Sequence, residues 1–343
     1  MLYAIVAAVT ALLLAALLAA LLRVPALRAG LVDRRRARPV PLLGGLAVVL
    51  AVALVTWGCD WTGIAPIGDG VGELLAAASA VAVLGLAADA WRLRTRFLLA
   101  GTAIAAACVV PYDETGVPAG LLAVGWIVWT AAAFKGLDHA DGLAGTVGVV
   151  TAFGVGACAT AEVMDGLAVL LSVLAAALTG FLMHNWHPAR SALGACGSLY
   201  AGFVLASAAV STRAGHGFAS SVGVLFALTV VASADVVLVV VSRRLAGRPL
   251  SRGGPDHLAH RLRRLGLTPQ GAVVLLGAGG FSGVLVAVLA HNGWAGDSAV
   301  VWVAGGTAVV VLGLLKVPVY GVRRQLRRPV SSQVRTQLRV RNG

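Results

Sequence analysis

Eleven apolar runs divide this chain, and most approach the roughly 20 residues a helix needs to cross a bilayer. They lie near residues 1–22, 41–58, 71–89, 97–111, 119–135, 143–161, 165–183, 198–211, 219–241, 270–290 and 298–320. A chain inside lipid must pair every backbone N–H and C=O internally, which leaves helices or closed barrels. Barrel strands alternate apolar and polar residues. These runs are continuous Ala, Leu, Val and Gly, which selects helices. Only 12% of the 343 residues are charged, half of the roughly 25% in a soluble domain, so a water-facing surface cannot be built. The expected fold class is an all-α integral membrane protein, a polytopic bundle of about 11 transmembrane helices. Residues 1–320 are expected to form the membrane domain, and 321–343 a basic cytoplasmic tail, disordered or lying on the surface near anionic lipid.

The formal net charge of +13 is distributed by side. Arg23, Arg28, Arg34, Arg35, Arg36 and Arg38 follow the first run, and Arg92, Arg94 and Arg96 follow the third. Lys135 follows the fifth run and Arg190 the seventh. Basic stretches from Arg243 to Arg264 and from Arg323 to Arg341 follow the ninth and the last. Arg213 alone stands in a loop on the other side, among Asp60, Asp69, Asp113, Glu114, Glu162, Asp165 and Asp297. The positive-inside rule then places the amino terminus outside and the carboxy terminus in the cytoplasm. Membrane topology accounts for the basicity, so no nucleic-acid partner is expected. The reading is a multi-pass protein of the cytoplasmic (plasma) membrane, with its polar site on the cytoplasmic face.

The first run lacks a basic leader and is too long for a signal-peptide core, so it reads as a span. Cys59, Cys108, Cys158 and Cys196 are scattered, without metal-ligand spacing, and no disulfide is expected. Gly279 and Gly283 form a small-xxx-small pair suited to helix packing. No span reads as a broken helix of the kind that lines a transporter site, which argues against transport.

Five segments expected at the inner face carry most of the chemistry. They are Asp33 to Pro41 leading to Gly44-Gly45, Gly85 to Asp89, Lys135 to Gly145, Asn185 to Ser198, and Asp235 through Pro255-Asp256-His257-Leu258-Ala259-His260-Arg261. Arginines grip phosphate oxygens with a planar fork, glycines let backbone N–H groups approach them, and carboxylates hold Mg²⁺ on a pyrophosphate. Together the segments suit a phosphorylated ligand. Asp235 lies in an apolar run, where a carboxylate is functional or else paired with Arg243 or Arg244. His257 and His260 share a helix face, and without an HExxH pattern phosphate contact is preferred to zinc. Asp138 and Asp141 also share a face if helical, where a cation between them would relieve their repulsion. His139 reads equally as interfacial or catalytic.

In this order the segments resemble the polyprenyl-phosphate N-acetylhexosamine-1-phosphate transferases, glycosyltransferase family 4. The resemblance covers nearly the whole chain. It implies transfer of a sugar phosphate from a UDP-sugar to a polyprenyl phosphate at the cytoplasmic face, with release of UMP and a requirement for Mg²⁺. It assigns Asp89, Asp138, Asp141, His257 and His260 to catalysis, and Asp89 and Asp141 to metal. Lys135, Asn185, Asp235, Asp256 and Arg261 fall to substrate binding. Membrane lipid is a partner, and a homodimer or a partner membrane protein stays open.

The departures are as informative as the matches. The family pattern has Asp-Asp at the end of the third span, where this chain has Ala88-Asp89. It has Asn-x-x-Asn-x-x-Asp-Gly-x-Asp-Gly after the fifth, where Lys135, Asp138, Asp141, Gly142, Ala144 and Gly145 stand. Asn185, Pro188, Ala189, Gly194, Gly197 and Ser198 match the next motif, but the aspartate that looks like the metal ligand is Ala195. Ala259 replaces one histidine of the His-x-His-His motif. Scaffold glycines and prolines persist while four polar positions are alanine. The expectation is a catalytically degenerate member with a binding or regulatory role; the alternative is an active, divergent transferase.

Overall fold

The computed structural model describes residues 2–33, 39–63, 68–91, 93–249 and 253–320. Helix α1 (Leu2–Leu21) leads through the short α2 (Arg23–Arg28) to a ribbon of β1 (Val32–Asp33) and β2 (Val40–Pro41). The strands are antiparallel, with Val32 opposite Pro41. Next come α3 (Gly44–Trp61), α4 (Asp69–Trp91), α5 (Thr95–Val109), the single turn α6 (Tyr112–Thr115) and α7 (Val117–Leu137). Then follow α8 (Leu143–Ala161), α9 (Asp165–Asn185), α10 (Gly194–Ser211), α11 (Phe218–Leu228) and α12 (Val230–Leu245). The chain continues through α13 (Leu258–Arg264), α14 (Pro269–His291) and α15 (Asp297–Leu315).

Among the described residues, nine helices are long and apolar enough to span a membrane, and α11 with α12 makes a tenth if counted as one. The all-α polytopic expectation holds. The fourth apolar run becomes α5, whose 15 residues reach only about 22 Å at 1.5 Å per residue. The tail from 321, Arg34 to Arg38, Arg92 and Arg252 lie outside the described residues.

One expectation is overturned. The ninth run is not an unbroken span: α11 and α12 meet at Thr229 with an 84° bend. Thr229 leaves helical geometry at φ −116°, ψ 21°. Its N–H turns to the Phe226 carbonyl at 3.1 Å, and its hydroxyl donates to the Leu225 carbonyl at 2.8 Å. The side chain thus satisfies a carbonyl that the break would orphan, which makes the kink tolerable inside lipid. Because the residues flanking Thr229 in sequence are apolar, hydropathy carried no trace of it. The argument against transport from unbroken spans therefore falls away.

Helix α10 is the axis of the bundle. It packs on α3, α4, α7 and α8, and every residue from Gly194 to Val210 is buried. Lipid supplies no hydrophobic drive between helices, so close approach by small residues does the work. A Cβ added at Gly45 would lie 2.3 Å from the Gly197 nitrogen, and one at Gly85 would lie 2.5 Å from the Ala195 carbonyl oxygen. Helix α1 buries Ala7, Ala11, Ala15 and Ala19, a four-residue stripe, and packs most extensively on α9. Of the Gly279–Gly283 pair, only Gly283 is packed, against Ala227 and Val230; Gly279 faces open space.

Candidate functional site

The ends of α4, α7, α9 and α12 meet the starts of α8, α10, α13 and α14 at one end of the bundle, and four polar knots form there. The first is the start of α10. An α-helix leaves its first N–H groups without intrahelical partners, and these attract anions. Here carboxylates from neighbouring helices occupy them. Asp138 Oδ2 accepts the Gly194 N–H at 2.9 Å. Asp89 Oδ1 accepts the Ala195 N–H at 3.0 Å, and Oδ2 accepts the Cys196 N–H at 3.2 Å. Gly194 has φ +65°, and a Cβ there would come within 2.6 Å of Asp89 Oδ2, so only glycine suits the position. Lys135 and Asp33 act electrostatically on Asp89.

The second knot joins the α7–α8 turn to the loop after α9. Asp141 Oδ2 accepts from His187 Nδ1 at 2.8 Å and from the Ala189 N–H at 3.1 Å. Asn185 bridges the same two segments. Its Oδ1 accepts the Gly142 N–H at 2.8 Å and its Nδ2 donates to the Ser191 carbonyl at 2.7 Å. Residues 138–142 are a turn rather than helix, so Asp138 and Asp141 do not form a helical face: one turns to α10 and the other to His187.

The third knot is an imidazole cluster around Asp235. The Asp235 carboxylate is fully buried. It accepts from His257 Nδ1 at 2.7 Å through Oδ2 and from the Leu258 N–H at 2.7 Å through Oδ1. It therefore caps α13 and orients His257, leaving His257 Nε2 as the ring's acceptor when neutral. His139 stacks on His257 with ring centroids 4.0 Å apart and tilts against His260 at 4.8 Å. His139 Nδ1 lies 2.7 Å from the Gly136 carbonyl, so this nitrogen carries the proton. Burial first, and then the neighbouring His257, pulls its pKa down to about 3. Burial, with His257 again, also lowers His260.

The fourth knot is structural in its connections. Arg243 donates through Nε and Nη2 to the Asp256 carboxylate at 2.6 and 3.0 Å, and the Tyr320 hydroxyl donates at 3.0 Å. Burial works against the charged form of Asp256. Arg243, through hydrogen bonds and charge, and then Tyr320 outweigh it and hold the carboxyl below its usual range. Arg261, 1% exposed, donates to the carbonyls of Leu314 at 2.7 Å and Val317 at 2.8 Å, and to the Ser242 hydroxyl at 2.5 Å. Its cation thus closes the carboxyl-terminal end of α15, where the helix dipole favours positive charge.

The sequence-derived candidates therefore divide. Asp89, Lys135, Asp138, Asp141 and Asn185 surround the starts of α8 and α10. Asp235, His257 and His260 share the imidazole cluster, whereas Asp256 and Arg261 tie α12, α13 and α15 together. Arg243 pairs with Asp256 rather than with Asp235. His187, as the partner of Asp141, had no assigned role; its place beside Asn185 and Pro188 was the available signal.

Fold and site define a class: a multi-pass helical membrane protein with carboxylates and imidazoles gathered at one end of the bundle. Comparison with known proteins narrows it. The profile of glycosyl transferase family 4 matches residues 72–213, from α4 through α10. A Streptomyces coelicolor protein, named provisionally as a glycosyltransferase, is 68% identical over 303 residues, covering 88% of this chain and 74% of its own. Decaprenyl-phosphate N-acetylglucosaminephosphotransferase of Mycolicibacterium smegmatis is 30% identical over 310 residues, 74% of each chain. Phospho-N-acetylmuramoyl-pentapeptide-transferase of Symbiobacterium thermophilum is 36% identical over 211 residues, 60% of this chain and 59% of its own. The chain belongs to glycosyl transferase family 4, among the polyprenyl-phosphate N-acetylhexosamine-1-phosphate transferases.

Proposed function

We propose that this protein binds the family's ligands, a polyprenyl phosphate and a UDP-sugar, at the cytoplasmic face of the plasma membrane without catalysing sugar-phosphate transfer, and serves a binding or regulatory role. The first turn of α10 carries this reading. The position where the family pattern has an aspartate is Ala195, 4% exposed, with a methyl group in place of a carboxylate. Both oxygens of the neighbouring Asp89 accept backbone N–H groups, and the charge of Lys135 acts on that carboxylate. This donor set does not fit a magnesium ion held in the family's manner. Ala88, Ala144 and Ala259 remove further charge and donors. Phosphoryl transfer depends on neutralising charge between two anionic reactants, and losing one well-placed stabiliser costs about 10²–10³ in rate.

The residues that remain suit binding. Lys135 carries a positive charge near the starts of α8 and α10, where it acts on Asp89. His257 offers Nε2 as an acceptor and, when protonated, as a donor to a phosphate oxygen. The decisive experiment presents purified protein in nanodiscs with UDP-N-acetylhexosamine, polyprenyl phosphate and Mg²⁺. Ligand binding without UMP release is expected; sustained UMP release would end the proposal.

The oriented Asp235–His257 pair favours a second reading, an active divergent transferase with His257 as proton carrier. It requires UMP release that Asp141→Asn and His257→Gln each abolish. Folded protein that turns over no UDP-N-acetylhexosamine with any polyprenyl phosphate rules it out.

A further inference from the structure

At the opposite end of the bundle, the ends of α8 and α14 and the α10–α11 loop bring together Glu162, His216 and His291. We propose that these three side chains form a binding site for a zinc-class divalent cation, separate from the carboxylate site around α10. Glu162 Oε1 lies 3.1 Å from His291 Nε2 and 3.4 Å from His216 Nε2, and the three atoms all fall within 4.8 Å of one another. Zinc bonds of about 2.0–2.1 Å in tetrahedral array place ligand atoms roughly 3.3 Å apart. Two of the three edges already match, and the third, between His216 and His291, is no longer than 4.8 Å. Two nitrogens and one carboxylate oxygen, with a fourth position open to water, is a donor set that zinc favours.

The hydrogen-bond pattern supplies an independent reason. His216 Nδ1 lies 3.3 Å from the Ala214 carbonyl, which can only accept, so Nδ1 carries the proton. In the neutral ring, His216 Nε2 is then a lone pair facing a carboxylate oxygen, and a cation resolves that conflict. A backbone carbonyl behind the distal nitrogen is also how metal-binding histidines are commonly oriented. His291 Nε2 is buried and faces the same Glu162 oxygen at 3.1 Å.

Arg213 opposes the ion. Its Nη1 lies 3.0 Å from His291 Nδ1. A guanidinium only donates, so in this arrangement the His291 proton sits on Nε2. Metal binding moves that proton to Nδ1 through solvent, and Arg213 must draw back. Ser220 and Ser221, already 3.1 and 3.3 Å from its Nη2 and Nε, are in place to receive it. The metal-free site is thus latched by Arg213.

Zinc binding to the full-length protein in nanodiscs, carrying no histidine tag and stripped with EDTA, tests the site by calorimetry and elemental analysis. One zinc per chain is expected at this site, with a rise in Tm on addition. Glu162→Gln and His216→Ala, both at partly exposed side chains, should each weaken binding by roughly tenfold or more. Arg213→Gln should tighten it, and His139→Phe, in the cluster at the other end, should leave it unchanged. Zinc binding that neither Glu162→Gln nor His216→Ala weakens, or no zinc uptake at submillimolar concentration by wild type and Arg213→Gln alike, overturns the proposal.

Discussion

Asp89, near the end of α4, accepts the backbone N–H of Ala195 at 3.0 Å and so caps the first turn of α10. The same carboxylate takes the Cys196 N–H at 3.2 Å. A residue that family resemblance assigns to metal and catalysis is therefore also the device that seats the central helix. Asp89→Ala should lower stability by about 0.5–2 kcal/mol, the usual loss on removing a helix cap. Asp89→Asn keeps one acceptor and should lose less. Thermal unfolding in detergent separates the two; equal stability of wild type and Asp89→Ala would refute the capping role.

Restoring the missing carboxylates tests whether the site has decayed. The triple variant Ala88→Asp, Ala144→Asp, Ala195→Asp should release UMP from UDP-N-acetylhexosamine and polyprenyl phosphate with Mg²⁺, while wild type does not. Equal activity in both would mean that the natural residues suffice and that the binding-only reading is wrong.

The Arg243–Asp256 pair is buried on both sides, with Asp256 at 0% and Arg243 at 6% exposure. Asp256→Ala leaves a buried cation without this partner and should cost about 3–5 kcal/mol. Adding Arg243→Met should recover much of that loss, since removing both charges avoids the uncompensated one. Failure of the double variant to recover would show that shape, not charge, holds α12 to α13.

His139 should make the protein acid-sensitive. Its pKa falls from 6.5 to about 3 on folding, chiefly through burial. The folded state then binds fewer protons than the unfolded state between those values. Its contribution is complete above pH 6.5 and is lost as pH falls toward 3. Within that window the slope approaches about 1.4 kcal/mol per pH unit for one proton. Tm measured in EDTA should decline from pH 7 to pH 5, and His139→Phe, which keeps an aromatic ring against His257, should flatten the decline. An unchanged profile in that variant would assign the sensitivity elsewhere.

Gly197 and Gly45 meet where α10 crosses α3, and a Cβ on Gly197 would sit 2.3 Å from the Gly45 Cα. Backbone cannot yield as a side-chain tip can, so Gly197→Ala should destabilise by about 1–3 kcal/mol. Gly305→Ala, at a glycine with open space around it, serves as the neutral comparison.

The glycines that carry the family resemblance have this packing explanation. Gly45, Gly85, Gly194 and Gly197 let α3, α4 and the Asp89 carboxylate approach α10. Their presence beside Ala195 therefore speaks for close helix packing and says little about chemistry. Reading Asp256 and Arg261 from the sequence had the same difficulty. A charged residue near a basic loop looks the same whether it faces a ligand or, as Arg261 does, the carbonyls of a neighbouring helix.

From its sequence alone, this chain had to become a bundle of membrane helices, because long runs without charge can satisfy their backbone in lipid in no other way. The alternation of basic loops also grouped the polar segments before any contact was known. What only the tertiary structure decided was which groups face one another. It broke the ninth span at Thr229, turned Asp138 and Asp141 to different partners, and stacked His139 on His257. It also brought Glu162, His216 and His291 together from positions far apart in the chain. Hydropathy is summed over a window and is blind to direction, whereas a site is made of directions that arise only when helices pack.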